Sequence, residues 1–487
     1  MPAPSTCTPS DGTSIGTDHH SEQCKHCTRC NVERGRGVSG VQDQYRKVAD
    51  AVAVDITTGR LRPGDRLPPL RRFARDRGIA ASTAARVYQE LARRGLTVGE
   101  VGRGTFVRAA TTPPAGPALS DPPPLRINLE LNHPAVPGQA ALLAEALTGL
   151  LRADVLDGAL RPVGATGTAD ARASAARLLA RADWRPRPDQ VLFTGNGRQA
   201  ISAAVAALVP PGGRLGAEEL TYPVLTSLAA RLGVTVVPLA MDEEGIRPDA
   251  LAAAHRSAPL HAVYLQPVLH NPLSLTVPPA RRAALAGTLR ELDVPVVEDA
   301  VWAFLHDDVP PLAALLPERT VVVDSLSKRL APGLTAGFAV VPDRLARPVE
   351  AAIRSGGWVP SGFALEAAAR WEASGAADAL VRAKRAEVEA RHSLARSHLS
   401  GFATRTAARS CFCWWDLPPA WRADLFVAAA ARQGIAVTPA SAFTADPHRA
   451  PNAVRLGLAS PERDDLARAL RALADLAAAP PDGGIPA

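Results

Sequence analysis

Lysine is scarce in this chain. Its 487 residues hold only Lys25, Lys47, Lys328 and Lys384, and every other basic side chain is an arginine. No apolar run reaches the ~18 residues that a membrane-spanning helix needs. The first thirty residues lack the apolar segment of a secretory signal, so secretion is not expected. Six cysteines in so long a chain cannot make a disulfide scaffold. They fit a reducing compartment, and the expected location is the cytoplasm.

What is present is the balance of a globular protein, with 47% hydrophobic and 21% charged residues. At roughly 150 residues per domain, about three units are expected. The net charge of +7 is confined to one place. Residues 41–108 hold 14 Lys+Arg against 7 Asp+Glu, which equals the whole surplus of the chain. A compact basic unit joined to a neutral body is the electrostatic footprint of nucleic-acid binding.

Residues 1–37 are rich in Ser, Thr and Gly without apolar periodicity, and read as a disordered, Cys-containing tail. Residues 38–108 form the basic unit. Residues 109–126 are a Pro-rich, extended linker. From 127 to 479, apolar strand-like runs alternate with Ala/Leu-rich helical stretches, which predicts an α/β body. Its smaller C-terminal subdomain is expected from about 346 to 479. Residues 480–487 are a Pro/Gly-rich tail.

In the basic unit, Tyr45, Val48, Ala49, Val52 and Ile56 recur at helical spacing within Gln42–Thr58. Arg62-Pro63-Gly64-Asp65 is a turn. Leu70–Arg77 reads as a second helix. A third is expected from a cap at Ser82 or Thr83 to Arg94. Two short helices across a tight turn make a helix-turn-helix, whose second helix suits the major groove. Leu96–Val98 and Gly102–Val107 then predict a β-hairpin wing, with glycines that let backbone approach phosphates.

The stretch Val41–Val107 resembles the winged helix of the GntR family of bacterial regulators. The resemblance rests on Gly59–Pro68 (GRLRPGDRLP), on Val87-Tyr88-Gln89-Glu90-Leu91 and on Gly102-Arg103-Gly104-Thr105-Phe106-Val107. It implies DNA contacts from Arg71 and from Arg103 and Gly104 of the wing. Ala81 is a departure, since the family usually starts its recognition helix with an arginine. Ser82, Thr83 and Arg86 are left as the candidate readers of bases.

In the body, a lysine kept against an arginine bias suggests chemistry that arginine cannot do. Lysine can shed its proton and form a Schiff base. Lys328 follows the strand-like run Thr320–Val323, at the end of a strand where open α/β sheets bind ligands. Val191-Leu192-Phe193, Thr194-Gly195-Asn196-Gly197 and a helix from Arg198 make a strand, a glycine turn and a helix start, which together form a phosphate cup. Asp299 ends the run Val294–Asp299, where a carboxylate can keep a pyridine nitrogen protonated. Asn271 follows the strand Val263–Gln266 and can donate to a phenolate oxygen. Tyr222 can stack on a ring.

Together these resemble fold-type I, pyridoxal-phosphate-dependent aminotransferases of class I/II. With the winged helix, the whole resembles the MocR subfamily of GntR regulators over residues 41–479. The resemblance implies a large α/β domain, a small C-terminal α+β domain and pyridoxal 5'-phosphate as cofactor. It implies Lys328 as the aldimine lysine, Asp299 as partner of the ring nitrogen, Asn271 at the phenolic oxygen and Tyr222 on the ring. Gly197, Arg198, Ser325 and Ser327 would hold the phosphate, and Arg455 the carboxylate of an amino compound.

Three departures stand out. Thr335 and Ala336 occupy the place of a usual phosphate-binding arginine. Trp302 replaces a usual tyrosine beside the cofactor, and an indole N–H donates but cannot act as a phenol. Asn271-Pro272-Leu273-Ser274 replaces Asn-Pro-Thr-Gly. The pattern favours sensing over turnover. The expected protein is a cytoplasmic bacterial transcription regulator, a homodimer on promoter DNA that senses an amino compound or the cofactor. The alternative is a working aminotransferase with an accessory DNA-binding arm. Cys24, Cys27 and Cys30 are a weak candidate metal site, and Cys411 and Cys413, in an alternating strand of the small domain, read as core or strand residues.

Overall fold

The computed structural model describes residues 44–56, 60–61, 65–93, 96–100, 104–107, 127–445 and 450–480. Several sequence features lie outside the described residues. They are the Cys-containing tail with Cys24, Cys27 and Cys30, the turn at 62–64, Arg103, the linker 109–126 and residues 481–487. The chain divides into two units, one up to Pro114 and one from Ala115.

The first unit has helices over residues 44–56, Leu70–Asp76 and Ala81–Arg93, then an antiparallel hairpin of Thr97–Glu100 and Gly104–Val107. The expected helical stripe is realised. Ala49 and Val52 are fully buried, with Tyr45, Val48 and Ile56 packed around them. Ala84, Val87 and Leu91 of the third helix recur every three or four residues and face the same core. Phe73 meets Tyr88 edge to face at 5.1 Å. The Tyr88 hydroxyl donates to the Pro68 carbonyl, which fixes the chain ahead of the second helix.

The third helix starts at Ala81, so Ser82 and Thr83 lie within it and do not cap it. Thr83 is buried, being only 5% exposed. As a reader of bases it is therefore corrected, because its side chain is turned into the core. Arg71, Ser82 and Arg86 are exposed.

The second unit is built on a seven-stranded sheet. Its order is Val191–Thr194, Gly337–Val340, Thr320–Ser325, Val296–Asp299, Ala262–Leu265, Arg214–Glu218 and Thr235–Leu239. All strands are parallel except Gly337–Val340. The central strands are valine-rich and buried at every position, as a parallel sheet covered on both faces requires.

A smaller antiparallel sheet joins Thr404–Arg405, Phe412–Asp416, Ala453–Gly457 and Thr438–Pro439. Phe412 to Trp415 are all buried, and so is Cys411 just ahead of the strand, so both cysteines are core residues. Ile127–Asn128, the first described residues after the linker, pair in parallel with Ile435–Ala436. The expected subdomain boundary near 346 falls inside the helix Asp343–Ser355. That helix buries Val349 and Ile353 in the same core as Val205 of the helix Gly197–Leu208, so it belongs to the large sheet. Among the described residues, no helix is long and apolar enough to cross a membrane.

Candidate functional site

Parallel strands bring their carboxyl ends to one edge, and there the chain opens a cavity of about 390 Å³. Gly197, Arg198, Tyr222, Asn271, Asp299, Trp302, Ser325, Ser327, Lys328 and Arg455 all line it. The order of the large sheet gathers the residues from Gly197 to Lys328, and Arg455 joins them from the smaller sheet.

The helix Gly197–Leu208 begins at this cavity, with Asn196 as its cap accepting from the Gln199 N–H at 3.0 Å. The N–H groups of Gly197 and Arg198 precede the first intrahelical bond and are ready donors for an anion. A Cβ added at Gly197 would come within 3.2 Å of Ser325 Oγ, so a side chain there would crowd the cup and push Ser325 aside. Arg198 donates through Nε to the Tyr222 hydroxyl at 3.2 Å. Thr335 lines the same cavity. Arg198 is therefore the arginine at this end of it.

Lys328 sits on a single helical turn, Leu326–Arg329, directly after the strand Thr320–Ser325. Its Nζ donates to the Asn132 carbonyl at 2.6 Å and lies 3.0 Å from His133 Nδ1. It also stands 5.4 Å over the Trp302 ring. Burial pushes the Lys328 amine down to about 7, and the cations Arg198, Arg455 and Lys384 add to that. Burial, then Lys328, Arg198 and Lys384, push His133 down to about 4. Lys384 is itself fully buried and donates to the main-chain oxygens of Lys328 and Leu330.

Asp299 is 4% exposed and already accepts three bonds. Tyr264 Oη donates to Oδ2 at 2.6 Å, Gln266 Nε2 donates to Oδ2 at 2.9 Å, and the Val301 N–H donates to Oδ1 at 3.1 Å. Burial raises the Asp299 carboxyl, and these donors oppose that. Gln266 Oε1 also accepts from the Asn271 N–H at 3.2 Å, so one amide ties both residues. The Asn271 side-chain oxygen is buried without a protein partner. Behind them, burial pushes Glu218 up to about 8 and His270 down to about 3, so both are neutral near pH 7.

Arg455 lies in the strand Ala453–Gly457, between the rings of Phe412 and Phe443 at 5.5 and 5.4 Å. One Nη donates to the Glu130 carbonyl and to Thr438 Oγ1, while Nε has no partner. Burial brings its guanidinium down to about 10, so it remains a cation at neutral pH. Glu130, Asn132 and His133 come from the entrance segment that follows the linker. Asn132 is held by the Cys411 carbonyl at 2.9 Å and the Ala459 N–H at 3.1 Å. The sequence reading missed His133, Gln266, Tyr264 and the role of Lys384. Only the rarity of lysine pointed toward the last of these.

Residues 127–473 match the aminotransferase class I and II family. The chain belongs to the aminotransferase class I and II family. Residues 44–107 match the bacterial regulatory proteins of the gntR family. This class I/II aminotransferase chain thus carries a gntR-type helix-turn-helix ahead of its body. It is 28% identical to the HTH-type transcriptional regulator YdeF of Bacillus subtilis, over 86% of this chain and 90% of that protein. It is 27% identical to the HTH-type pyridoxine biosynthesis transcriptional regulator PdxR of Corynebacterium glutamicum, over 60% of this chain and 64% of that one. The body has the fold of an archaeal alanine:glyoxylate aminotransferase, with a TM-score of 0.67, 21% identity, and coverage of 72% of this chain and 90% of that one.

Proposed function

We propose that this class I/II aminotransferase relative is a transcription regulator. Residues 44–107 bind promoter DNA, and the cavity around Lys328 holds pyridoxal 5'-phosphate. The observation that carries the reading is the convergence of the Lys328 amine, the Asp299 carboxylate and the helix start at Gly197 on one cavity. That donor set fits an aromatic phosphate: N–H groups and hydroxyls at one end, a carboxylate at the other, and a primary amine between them. When bound, the cofactor supplies an aldehyde that attaches amines reversibly and a ring that draws electrons.

The chain's own residues divide the work. Lys328 presents an amine whose depressed pKa leaves much of it neutral near pH 7. Asp299 holds a proton at the ring nitrogen, and Asn271 offers its amide to the phenolic oxygen. Gly197, Arg198, Ser325 and Ser327 hold the phosphate, and Tyr222 and Trp302 bound the ring. Arg455 takes the carboxylate of an amino compound in bidentate fashion. The input is that amino compound or the cofactor itself. The name of PdxR, tied to pyridoxine biosynthesis, supports a vitamin B6-linked input.

The regulator acts in the cytoplasm as a homodimer, presenting two helix-turn-helix units to paired half-sites. Thr335 and Trp302, at places where the family has an arginine and a tyrosine, support sensing over turnover. Repeated conversion of a keto acid to an amino acid by the purified protein would instead establish an aminotransferase.

The deciding experiment mixes full-length protein with pyridoxal 5'-phosphate, reduces it with borohydride and maps the product by mass spectrometry. A pyridoxyl adduct on Lys328, lost in Lys328→Ala, is expected. No adduct on Lys328 despite loading overturns the cofactor reading. Retention of the protein's own promoter region that weakens steeply with salt tests the DNA reading, because phosphate contacts release counterions.

A further inference from the structure

His133 is used by none of the roles above, yet its Nδ1 lies 3.0 Å from the atom on which they depend. We propose that His133 is a positioning residue for Lys328, its Nδ1 and the Asn132 carbonyl holding the two N–H bonds of the neutral amine so that the lone pair faces the cavity. The inference deepens the reading of Lys328 as the cofactor-attaching amine and rests on it.

The geometry supplies both acceptors. Nζ lies 2.6 Å from the Asn132 oxygen and 3.0 Å from His133 Nδ1. A neutral primary amine has two N–H bonds and one lone pair. Two fixed acceptors take the N–H bonds, and the remaining tetrahedral direction belongs to the lone pair. Donor and acceptors are fixed independently. Lys384 holds the main-chain oxygen of Lys328 at 3.0 Å, and the Asn132 side chain is held by Cys411 and Ala459. The His133 N–H donates to Ser460 Oγ at 2.9 Å, which anchors the imidazole's own backbone.

The charges around this pair fit the role. The imidazole faces Lys328, Arg198 and Lys384, all basic. Nζ faces Arg198, Arg455 and Lys384, together with the thiol of Cys411, which burial pushes up to about 12 and so keeps neutral. The carboxylates of the cavity are Glu130, Asp299 and Asp324. Among these cations a neutral imidazole is favoured. It then carries its proton on Nε2 and accepts at Nδ1. Lysine donates in either protonation state, so the hydrogen bond survives the loss of the ammonium proton and aims the amine that remains.

The test reads the unliganded full-length protein, stripped of aldehyde with hydroxylamine. Trace acetylation by acetic anhydride across pH gives the midpoint and limiting rate of each lysine. The chain has only four lysines, so the peptides are unambiguous. Exposed Lys47 serves as reference, and buried Lys384 reports that the body stays folded. In His133→Ala the Lys328 midpoint is expected to fall by about one pH unit, the worth of one hydrogen bond to a charged group. Its limiting rate is expected to fall several-fold as the lone pair loses its aim. His133→Asn, which keeps an acceptor at similar reach, restores both. If His133→Ala does not fold, the asparagine variant carries the test alone by matching the wild type. Unchanged Lys328 values in His133→Ala, or a defect in His133→Asn, overturn the proposal. A wild type that takes up no pyridoxyl group overturns the cofactor reading instead, and the labelling result still judges His133.

Discussion

Nζ of Lys384 donates to the main-chain oxygen of Lys328 at 3.0 Å, so one buried lysine holds the backbone of the other. A second bond reaches the Leu330 carbonyl, and the two together brace the single turn on which Lys328 rides. Lys384→Met removes both donors and leaves two carbonyls without partners. The expected result is a net loss of about 1–3 kcal/mol in stability, seen as a lower midpoint in denaturant. Affinity for pyridoxal phosphate should weaken about tenfold in an absorbance titration. Unchanged affinity in a folded variant would show that the turn needs no brace.

The amine of Lys328 titrates at about 7 because it is buried. Above that pH it is a neutral nucleophile, and below it an ammonium. The initial rate of the absorbance change on mixing with pyridoxal phosphate is therefore expected to fall about tenfold per pH unit below about 6 and to level off above about 8. The sign for stability follows from the same shift. Between about 7 and 10.5 the unfolded chain keeps a proton on this lysine that the folded chain has lost, so raising the pH through that window stabilises the fold. Stopped-flow mixing and denaturant midpoints over pH check the two halves separately.

Gln266 bonds Asp299 through its nitrogen and the Asn271 main chain through its oxygen. Gln266→Leu keeps the bulk and removes both bonds. With one donor fewer, the Asp299 carboxyl rises further and holds a ring proton less well. About a tenfold loss of cofactor affinity, or ~1.4 kcal/mol, is expected in equilibrium titration. An equal affinity would show that Tyr264 and Val301 suffice to hold the carboxylate.

On the DNA-binding side, Arg86 and Thr83 share a helix but differ in exposure. Arg86→Ala in the full chain is expected to weaken promoter retention by ~1–3 kcal/mol if it reads a base, or to lower the salt slope by about one if it meets a phosphate. Thr83→Val should leave the affinity for DNA unchanged, because its side chain faces the core. A large loss of affinity in Thr83→Val with normal stability would contradict the burial found here.

The strand ends were legible because each carries a local signal. Lys328 stands out against an arginine background, Asp299 closes a valine run, and Gly197 lies between a strand and a helix. What was not legible arises from distance along the chain. Asn132 and His133 reach Lys328 from nearly two hundred residues away, and no periodicity encodes that meeting. Gln266 closes a recognised strand, but its two bonds depend on Asp299 of the neighbouring strand and on the Asn271 main chain, which only the fold brings to it. The third helix of the first unit was misplaced by one or two residues, because Ser82 and Thr83 look like caps, and the burial of Thr83 is set by tertiary packing. The expected boundary near 346 falls inside the helix Asp343–Ser355, which follows the large sheet's strand Gly337–Val340 and packs its apolar face on that sheet, a placement that only tertiary packing decides.

Glu130 and Asn132, two residues apart, give their main-chain oxygens to Arg455 and Lys328. One short run of chain thus touches both the amine and the guanidinium of the cavity, and displacing its backbone would break both bonds together.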